Sequence, residues 1–418
     1  MIGMTDRRVV ITGLGCITAL AESAEALFEA LCQSRSGISK IESFDTSEYP
    51  VAFGGEAKQF RIEDYVDPRD SKRMDRFTQM ALASAIQAVK DSGLDFDRED
   101  RDRTSVIVGT GIGGIGEIEQ QHLRLLQKSP RKVSAFCVPK LMGNAAAGCI
   151  SIEFGLKGPN FCVVTACASA SHAIGEAYYN ILCNRSDISI TGGSEAALTP
   201  IGLASFCALK SLSTRNDDPI HASRPFDKDR DGFVLSEGAA VLVLEEYEHA
   251  KKRGATIYAE ILGYGATGDG YHITAPLEDG SGAARAMERA LEHARLDPEQ
   301  IDYINAHGTS TQLNDAAESL AIRNVFGSHA YKLAVNSSKS CLGHTLGASG
   351  GIELLVCAKT VQKGIIHPTA NLEEVAEECD PKIDFVPHKP REQEVKIALS
   401  NSLGFGGHNC CLIIGKVE

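Results

Sequence analysis

Three side chains could form a nucleophilic site in this sequence: one cysteine and two histidines. Cys167 lies between an apolar run at residues 161–164, typical of a buried strand, and small residues typical of a helix. A thiol at a helix N-terminus is favoured as thiolate by the helix dipole and the free N–H groups. The sequence therefore predicts a nucleophile with a lowered pKa, and the alternative is a buried structural cysteine.

The two histidines follow short apolar runs that open into polar, glycine-rich residues. His307 stands in Y-I-N-A-H-G-T-S-T, and His344 stands in V-N-S-S-K-S-C-L-G-H-T-L-G. Loops at strand ends hold catalytic side chains rigidly while leaving them accessible. We therefore expect both imidazoles to join Cys167 in one site.

Composition excludes several classes of function. The 418-residue chain has a formal net charge of −13, and no basic run interrupts it, which argues against a nucleic-acid surface. No secretion signal and no apolar run of ~18 residues is present, so we expect a cytoplasmic protein without a membrane span. The thirteen cysteines show no zinc-ligand spacing, which predicts reduced thiols and no metal.

The order of predicted elements occurs twice along the chain. Runs at residues 257–265, 301–308, 333–350 and 395–415 repeat the pattern of strands, glycines and helices seen before them. We interpret this as a duplication, with halves at residues 1–255 and 256–418. Strands alternating with helices predict an α/β layered fold.

A glycine-rich segment at residues 109–114, G-T-G-I-G-G, matches a dinucleotide-binding pattern. The acidic residue that should end a second strand about 20 residues on is replaced by a polar helix pattern. We therefore interpret the glycines as permitting close backbone approach.

Together, the segments around Cys167, His307 and His344 resemble the β-ketoacyl-[acyl carrier protein] synthases of the elongating type, with a Cys-His-His triad. The resemblance implies the thiolase fold, two αβ halves in five alternating αβαβα layers, and a homodimer. It also implies an acyltransferase that condenses an enzyme-bound acyl thioester with a malonyl carrier thioester. The products would be 3-oxoacyl carrier and CO₂, in fatty-acid elongation.

The same resemblance implies a role for each site residue. Cys167 would hold the acyl group, His307 and His344 would stabilise the enolate, and the amides of Cys167 and Phe405 would form the oxyanion hole. Lys339 would order the site in a pair with Glu353, and the acids Asp315 and Glu318 would support this network. No cofactor is implied, because the acyl carrier protein brings its own phosphopantetheine.

Further residues are implied to bind substrate and carrier. Thr309 and Thr311 would contact the phosphopantetheine arm. The acyl pocket and its gate would consist of Ile112, Ala197, Gly202, Phe206 and Phe405. The acidic carrier would dock on Arg69, Lys72, Arg73 and Lys210, although a segment such as residues 67–76, in which basic residues are concentrated among acidic ones, is usually a solvated helix face.

Three positions depart from the family pattern. Cys137 stands where relatives carry an aromatic residue, which puts the preferred chain length in question. Leu403 replaces a phenylalanine and could loosen the gate, and His408 replaces a threonine and adds an imidazole near the site.

Two other functions are compatible with the sequence. One is a ketosynthase of a type II polyketide pathway, whose inactive partners lack the cysteine present here. The other is a thiolase-fold binding or scaffold protein without catalysis, against which the intact triad argues.

Overall fold

The repeated strand and helix pattern forms one large sheet with helices on both sides. The computed structural model describes residues 7–417. Its strands are β1 Val9–Thr18, β2 Ser39–Lys40, β3 Phe53–Gly54, β4 Thr104–Gly109, β5 Asn160–Val163, β6 Ile188–Glu195, β7 Gly238–Glu246, β8 Ala259–Gly268, β9 Tyr303–Asn305, β10 Ala334–Asn336, β11 Ile365–Ile366, β12 Arg391–Glu392, β13 Ile397–Gly404 and β14 His408–Gly415. Its α-helices are α1 Ala24–Cys32, α2 Pro68–Ser71, α3 Arg76–Ser92, α4 Ile115–Gln127, α5 Cys137–Leu141, α6 Ala145–Phe154, α7 Ser169–Leu182, α8 Pro200–Ala208, α9 Tyr247–Lys252, α10 Ser281–Ala294, α11 Gln312–Phe326, α12 Lys339–Leu342 and α13 Ser349–Lys363.

The ten-stranded sheet has the order β10-β9-β13-β14-β8-β1-β7-β6-β4-β5. Counted outward from the middle of the sheet, the first half of the chain contributes β1, β7, β6, β4 and β5, and the second half contributes β8, β14, β13, β9 and β10. The two sets correspond strand for strand in their order along the chain. The two sets meet where β1 and β8 pair antiparallel over three residue pairs. The sheet therefore repeats its topology, as the sequence pattern predicts; the division at residues 255/256 falls between α9 and β8 and stays a prediction.

The helices complete five layers. α3 and α6 pack on the outer face of the first five strands, and α10 packs on the outer face of the second five and against α11. α7 and α13 pack against each other between the two sets of strands. Nearly all of α13 is buried, which suits its small and apolar side chains on every face.

Among residues 7–417, no helix is both long enough and apolar enough to cross a membrane.

Candidate active site

Cys167 lies at a tight corner between β5 and α7. Residues Ala166–Ala168 form a 3₁₀ turn, and α7 begins at Ser169 rather than at the cysteine. Ala166 has a φ of 49°, a left-handed conformation that costs a non-glycine residue free energy. The Ser169 hydroxyl holds the corner by donating to the Ala166 carbonyl at 2.7 Å and accepting from the Thr165 N–H at 2.9 Å.

Burial raises the pKa of the Cys167 thiol to about 12. The positive charge of Lys339 and hydrogen bonds from the N–H groups of Phe405 and Cys167 oppose this shift without cancelling it. The prediction of a lowered pKa was therefore wrong for the resting protein, because desolvation outweighs the favourable N–H groups. The Phe405 N–H nevertheless donates a hydrogen bond to the Cys167 sulfur. A Cβ on neighbouring Gly404 would come within 3.2 Å of the Cys167 nitrogen. The close approach of the segment at residues 404–405 to the Cys167 corner therefore needs glycine at position 404.

The two predicted histidines meet the cysteine. One ring nitrogen of His307, one of His344 and the Cys167 sulfur all lie within 4.8 Å of one another, and all three residues are buried. The imidazole centroids are 5.3 Å apart and nearly perpendicular. Residues from both halves of the chain thus form one compact cluster.

Hydrogen bonding determines which nitrogen of His307 carries its proton. Lys339 Nζ lies 3.3 Å from Nδ1 and also donates to the His307 carbonyl at 2.6 Å. An ammonium group can only donate, so Nδ1 accepts and Nε2 bears the hydrogen. Lys339 is itself buried in an ion pair with Glu353, as the resemblance implied.

His344 reaches the same tautomer by a different contact. Its Nδ1 accepts from the Leu346 N–H at 3.3 Å and lies 3.0 Å from the Ser349 hydroxyl. Burial and the charge of Lys339 lower the pKa of both His307 and His344 well below the ordinary value. The cluster therefore presents two neutral imidazoles, each with a donating Nε2–H.

The two acids at the start of α11 hold the loop that bears His307. Glu318 accepts from the His307 and Gly308 N–H groups, both at 2.8 Å. Asp315 accepts from the N–H groups of Thr309 at 2.9 Å and Ser310 at 3.2 Å. Burial raises the pKa of Glu318 to about 7. Their support of the triad thus runs through the backbone.

A cavity of about 650 Å³ opens onto the triad. Of the residues assigned to substrate, Ile112, Phe206, Thr309, Thr311 and Phe405 line it, and so does Leu403. The hydroxyls of Thr309 and Thr311 are 2.9 Å apart. Ala197 and Gly202 are buried but are not among the lining residues.

The basic residues assigned to the carrier lie in two parts of the chain. Lys210 lines the cavity, whereas Arg69, Lys72 and Arg73 lie exposed around α2. The guanidinium groups of Arg69 and Arg73 pair locally with Asp67 and Asp70.

Two of the three departures, Cys137 and His408, are not among the residues that line the cavity. Cys137 is half-buried and begins α5, which has no fully buried residue. The ring of His408 lies 6.4 Å from that of buried His172, behind the Cys167 corner.

Sequence reasoning missed two features of the site. One is the Leu346 N–H, a backbone group that no side-chain pattern reveals. The other is Glu195, a fully buried acid at the end of β6 that contacts the glycine-rich loop. An acidic residue that closes an apolar strand is the signal that could have found it.

Two family models cover most of the chain. The model for the N-terminal domain of beta-ketoacyl synthase matches residues 6–250, and the model for its C-terminal domain matches residues 258–373. The chain belongs to the beta-ketoacyl synthase family.

Curated and solved relatives agree with this assignment. The chain is 47% identical, over 100% of both chains, to "3-oxoacyl-[acyl-carrier-protein] synthase 2" of Synechocystis sp.. A beta-ketoacyl synthase structure from Burkholderia phymatum matches with a TM-score of 0.92 and 38% identity over 99% of this chain and 100% of that one. A type II polyketide ketosynthase, in complex with its acyl-carrier protein, matches with a TM-score of 0.92 and 33% identity over the same shares. The five-layer arrangement is therefore the thiolase fold.

Proposed function

We propose that this protein elongates fatty acyl chains as a 3-oxoacyl-[acyl-carrier-protein] synthase, by decarboxylative condensation. The observation that carries the proposal is the pair of neutral imidazoles, each with one ring nitrogen within 4.8 Å of the Cys167 sulfur and each with Nδ1 occupied by an N–H donor, which leaves Nε2–H to donate. Two hydrogen-bond donors aimed at one point suit the oxygen of an enolate, whereas a single general base would suit simple hydrolysis.

The first half of the reaction is acyl transfer. The Cys167 sulfur attacks the carbonyl of an acyl thioester, the N–H groups of Cys167 and Phe405 stabilise the oxyanion, and the carrier's thiolate leaves with the proton of the Cys167 thiol. One thioester bond forms and one breaks. The raised pKa of the free thiol means that the sulfur and its proton separate during attack.

The second half joins two carbons. A malonyl thioester loses CO₂, and the enolate oxygen is stabilised by the Nε2–H groups of His307 and His344. The enolate carbon attacks the Cys167 thioester carbonyl, the carbon–sulfur bond breaks, and the departing sulfur takes up a proton from solvent. Because neutral imidazoles donate without a change in charge, the lowered pKa values of both histidines favour this step.

The direct test is condensation with defined substrates. The protein is incubated with an acyl carrier thioester and malonyl carrier, and products are identified by mass spectrometry. We expect 3-oxoacyl carrier two carbons longer than the primer and one CO₂ per product. Hydrolysis to free acid without a new carbon–carbon bond would contradict the proposal.

Polyketide synthesis is the second candidate, because ketosynthases of that type match the fold. Their identity to this chain is 33–34%, against 47% for the relative named for fatty-acid synthesis. The same assay separates the two functions. A single elongation step indicates a fatty-acid synthase enzyme, and successive extensions without reduction indicate a polyketide ketosynthase.

We propose that the site works without a metal, although a thiol and two imidazoles are metal-ligand types. A histidine that binds a metal donates its other ring N–H to an acceptor. Here both Nδ1 atoms already accept from N–H donors, Lys339 and Leu346. Coordination through Nε2 would force a proton onto Nδ1 against these donors.

The acyl carrier protein is the proposed partner, and its phosphopantetheine would pass Thr309 and Thr311, which line the cavity. Lys210 is exposed and also lines the cavity, so it could make a local basic contact with an acidic carrier although the chain has a net charge of −13. Lys210→Glu should raise KM for carrier-bound substrate more than for a small pantetheine thioester. Equal losses with both substrates would place docking elsewhere.

We also propose a homodimer and a cytoplasmic location. β5 is an edge strand of the sheet; Phe161 within it is 38% exposed, and Val164, which follows it directly, is 60% exposed. Unpaired edges with apolar side chains are usually covered, so a second copy on β5 is expected. The thirteen free cysteines suit a reducing compartment. Sedimentation of wild type and Phe161→Glu tests the dimer.

A further inference from the structure

Glu195 is a buried acid that the reaction above does not use. It ends β6, is 0% exposed and receives only neutral donors from the described part of the chain. Burying a carboxyl group costs free energy unless hydrogen-bond donors satisfy its oxygens. The number of donors gathered around Glu195 therefore suggests that the acid has a role in the structure.

One set of donors comes from the glycine-rich loop after β4. The N–H groups of Gly111, Ile112 and Gly113 point to the Glu195 carboxyl at 2.6, 3.2 and 3.4 Å, and the Thr110 hydroxyl does so at 2.9 Å. Successive N–H groups of this kind form a nest that binds anions. The segment that resembles a dinucleotide loop thus binds an internal carboxyl group.

The remaining donor comes from the other half of the chain. The Gly347 N–H points to Glu195 Oε2 at 3.1 Å, in the turn that follows His344. In the same turn, the preceding Leu346 N–H contacts His344 Nδ1, and Leu346 has a φ of 48°. A left-handed leucine persists only when its surroundings hold it, and the Gly347 contact does so.

The approach of the two segments is close. A Cβ on Gly347 would lie 2.3 Å from the Gly111 nitrogen and 2.7 Å from Glu195 Oε2. A Cβ on Gly111 would lie 2.8 Å from the same oxygen. Gly111 and Gly347 are therefore both needed at the point where Glu195 joins the two halves of the chain.

We infer that Glu195 is a positioning residue for two parts of the site: the Ile112 wall of the acyl cavity and the turn that orients His344. Oε2 joins the loop to the turn, and Oε1 serves the loop alone. The inference rests on the proposed role of His344 in decarboxylation.

The test compares Glu195→Ala with a matched control, Glu245→Ala. Glu245 is equally buried on the neighbouring strand β7 but pairs with Ile188 at the opposite end of β6, and it binds Arg253 and His249. Acylation by a short acyl carrier thioester and CO₂ release from malonyl carrier are measured per folded molecule. Glu195→Ala should lower CO₂ release about tenfold or more while acylation stays within about threefold, since small misplacements of catalytic groups are costly. Glu245→Ala should keep the ratio of the two rates unchanged.

Glu195→Gln separates the two contacts and serves if the alanine variant does not fold. Its amide nitrogen can donate to the Thr110 hydroxyl, so its oxygen remains for Gly111 and Gly347. We expect near-normal CO₂ release but an altered distribution of product chain lengths. Equal loss of both half-reactions in Glu195→Ala, or an unchanged product distribution in Glu195→Gln, would overturn the inference. A wild-type protein that does not condense would instead refute the proposed function.

Discussion

Two corners of the molecule have nearly the same backbone and opposite uses. Ala166–Ala168 and Leu346–Ala348 are both 3₁₀ turns, each begins with a left-handed residue, and each leads into a helix that starts with serine. At the centre of the first turn stands Cys167, which lines the cavity. At the centre of the second stands Gly347, whose N–H is occupied by Glu195.

The difference shows how a duplicated fold yields a single site. The corner geometry recurs in each half, so geometry alone does not make a nucleophile. The Cys167 corner has a thiol, a second N–H from Phe405 and open space before it. The Gly347 corner is filled from the opposite half and serves to hold His344.

The largest expected effect comes from removing the imidazoles that face the Cys167 corner. His307→Ala or His344→Ala should lower CO₂ release from malonyl carrier by about 10²–10⁴-fold, because each removes one donor to the enolate. Acylation of Cys167 should persist, since its oxyanion is held by backbone N–H groups. Intact-mass and CO₂ measurements on the same samples check the split, and full decarboxylation by either variant would refute the assignment.

A second change tests whether the Gly347 corner is as tightly filled as the contacts indicate. Gly347→Ala should reduce the free energy of unfolding by about 1–3 kcal/mol, because its Cβ would overlap backbone atoms. Gly116→Ala in α4 is the control: its Cβ would meet only ordinary contacts at 3.6 Å or beyond. Urea titration measures both. Equal stability of the two variants would show that the corner has free space.

The smallest effect concerns the charge state of the Cys167 corner. With a thiol pKa of about 12, the rate of iodoacetamide alkylation should rise about tenfold per pH unit from pH 7 to 10, as the thiolate fraction grows. Lys339→Met should slow alkylation further, because it removes a positive charge that lowers this pKa. A rate that levels off near pH 8 would mean that the N–H groups outweigh burial.

The sequence predicts the layers and the triad better than the energetics of the site. Repeated apolar runs followed by glycines are local signals, and they indicate the duplicated sheet and the positions of Cys167, His307 and His344. The pKa of Cys167 depends on burial and on Lys339 and Phe405, which come from the other half of the chain. The local sequence pattern around Cys167 does not reveal how close these residues lie to the thiol.

The same reasoning explains the smaller errors. α7 begins at Ser169 because a 3₁₀ turn precedes it, and helix propensity does not distinguish the two. Glu195 was missed because all of its donors but the Thr110 hydroxyl are backbone N–H groups, which come from two distant segments.

The central claim is that one corner alone bears the nucleophile, and peptide mapping of the acylated protein tests it most directly. Wild type and Cys167→Ala are incubated with an acyl carrier thioester, weighed intact, digested and sequenced by mass spectrometry. We expect one acyl group per chain of the wild type, on the peptide containing Cys167, and none on the variant. An acyl group on any other of the thirteen cysteines, or continued single acylation of Cys167→Ala, would contradict the account.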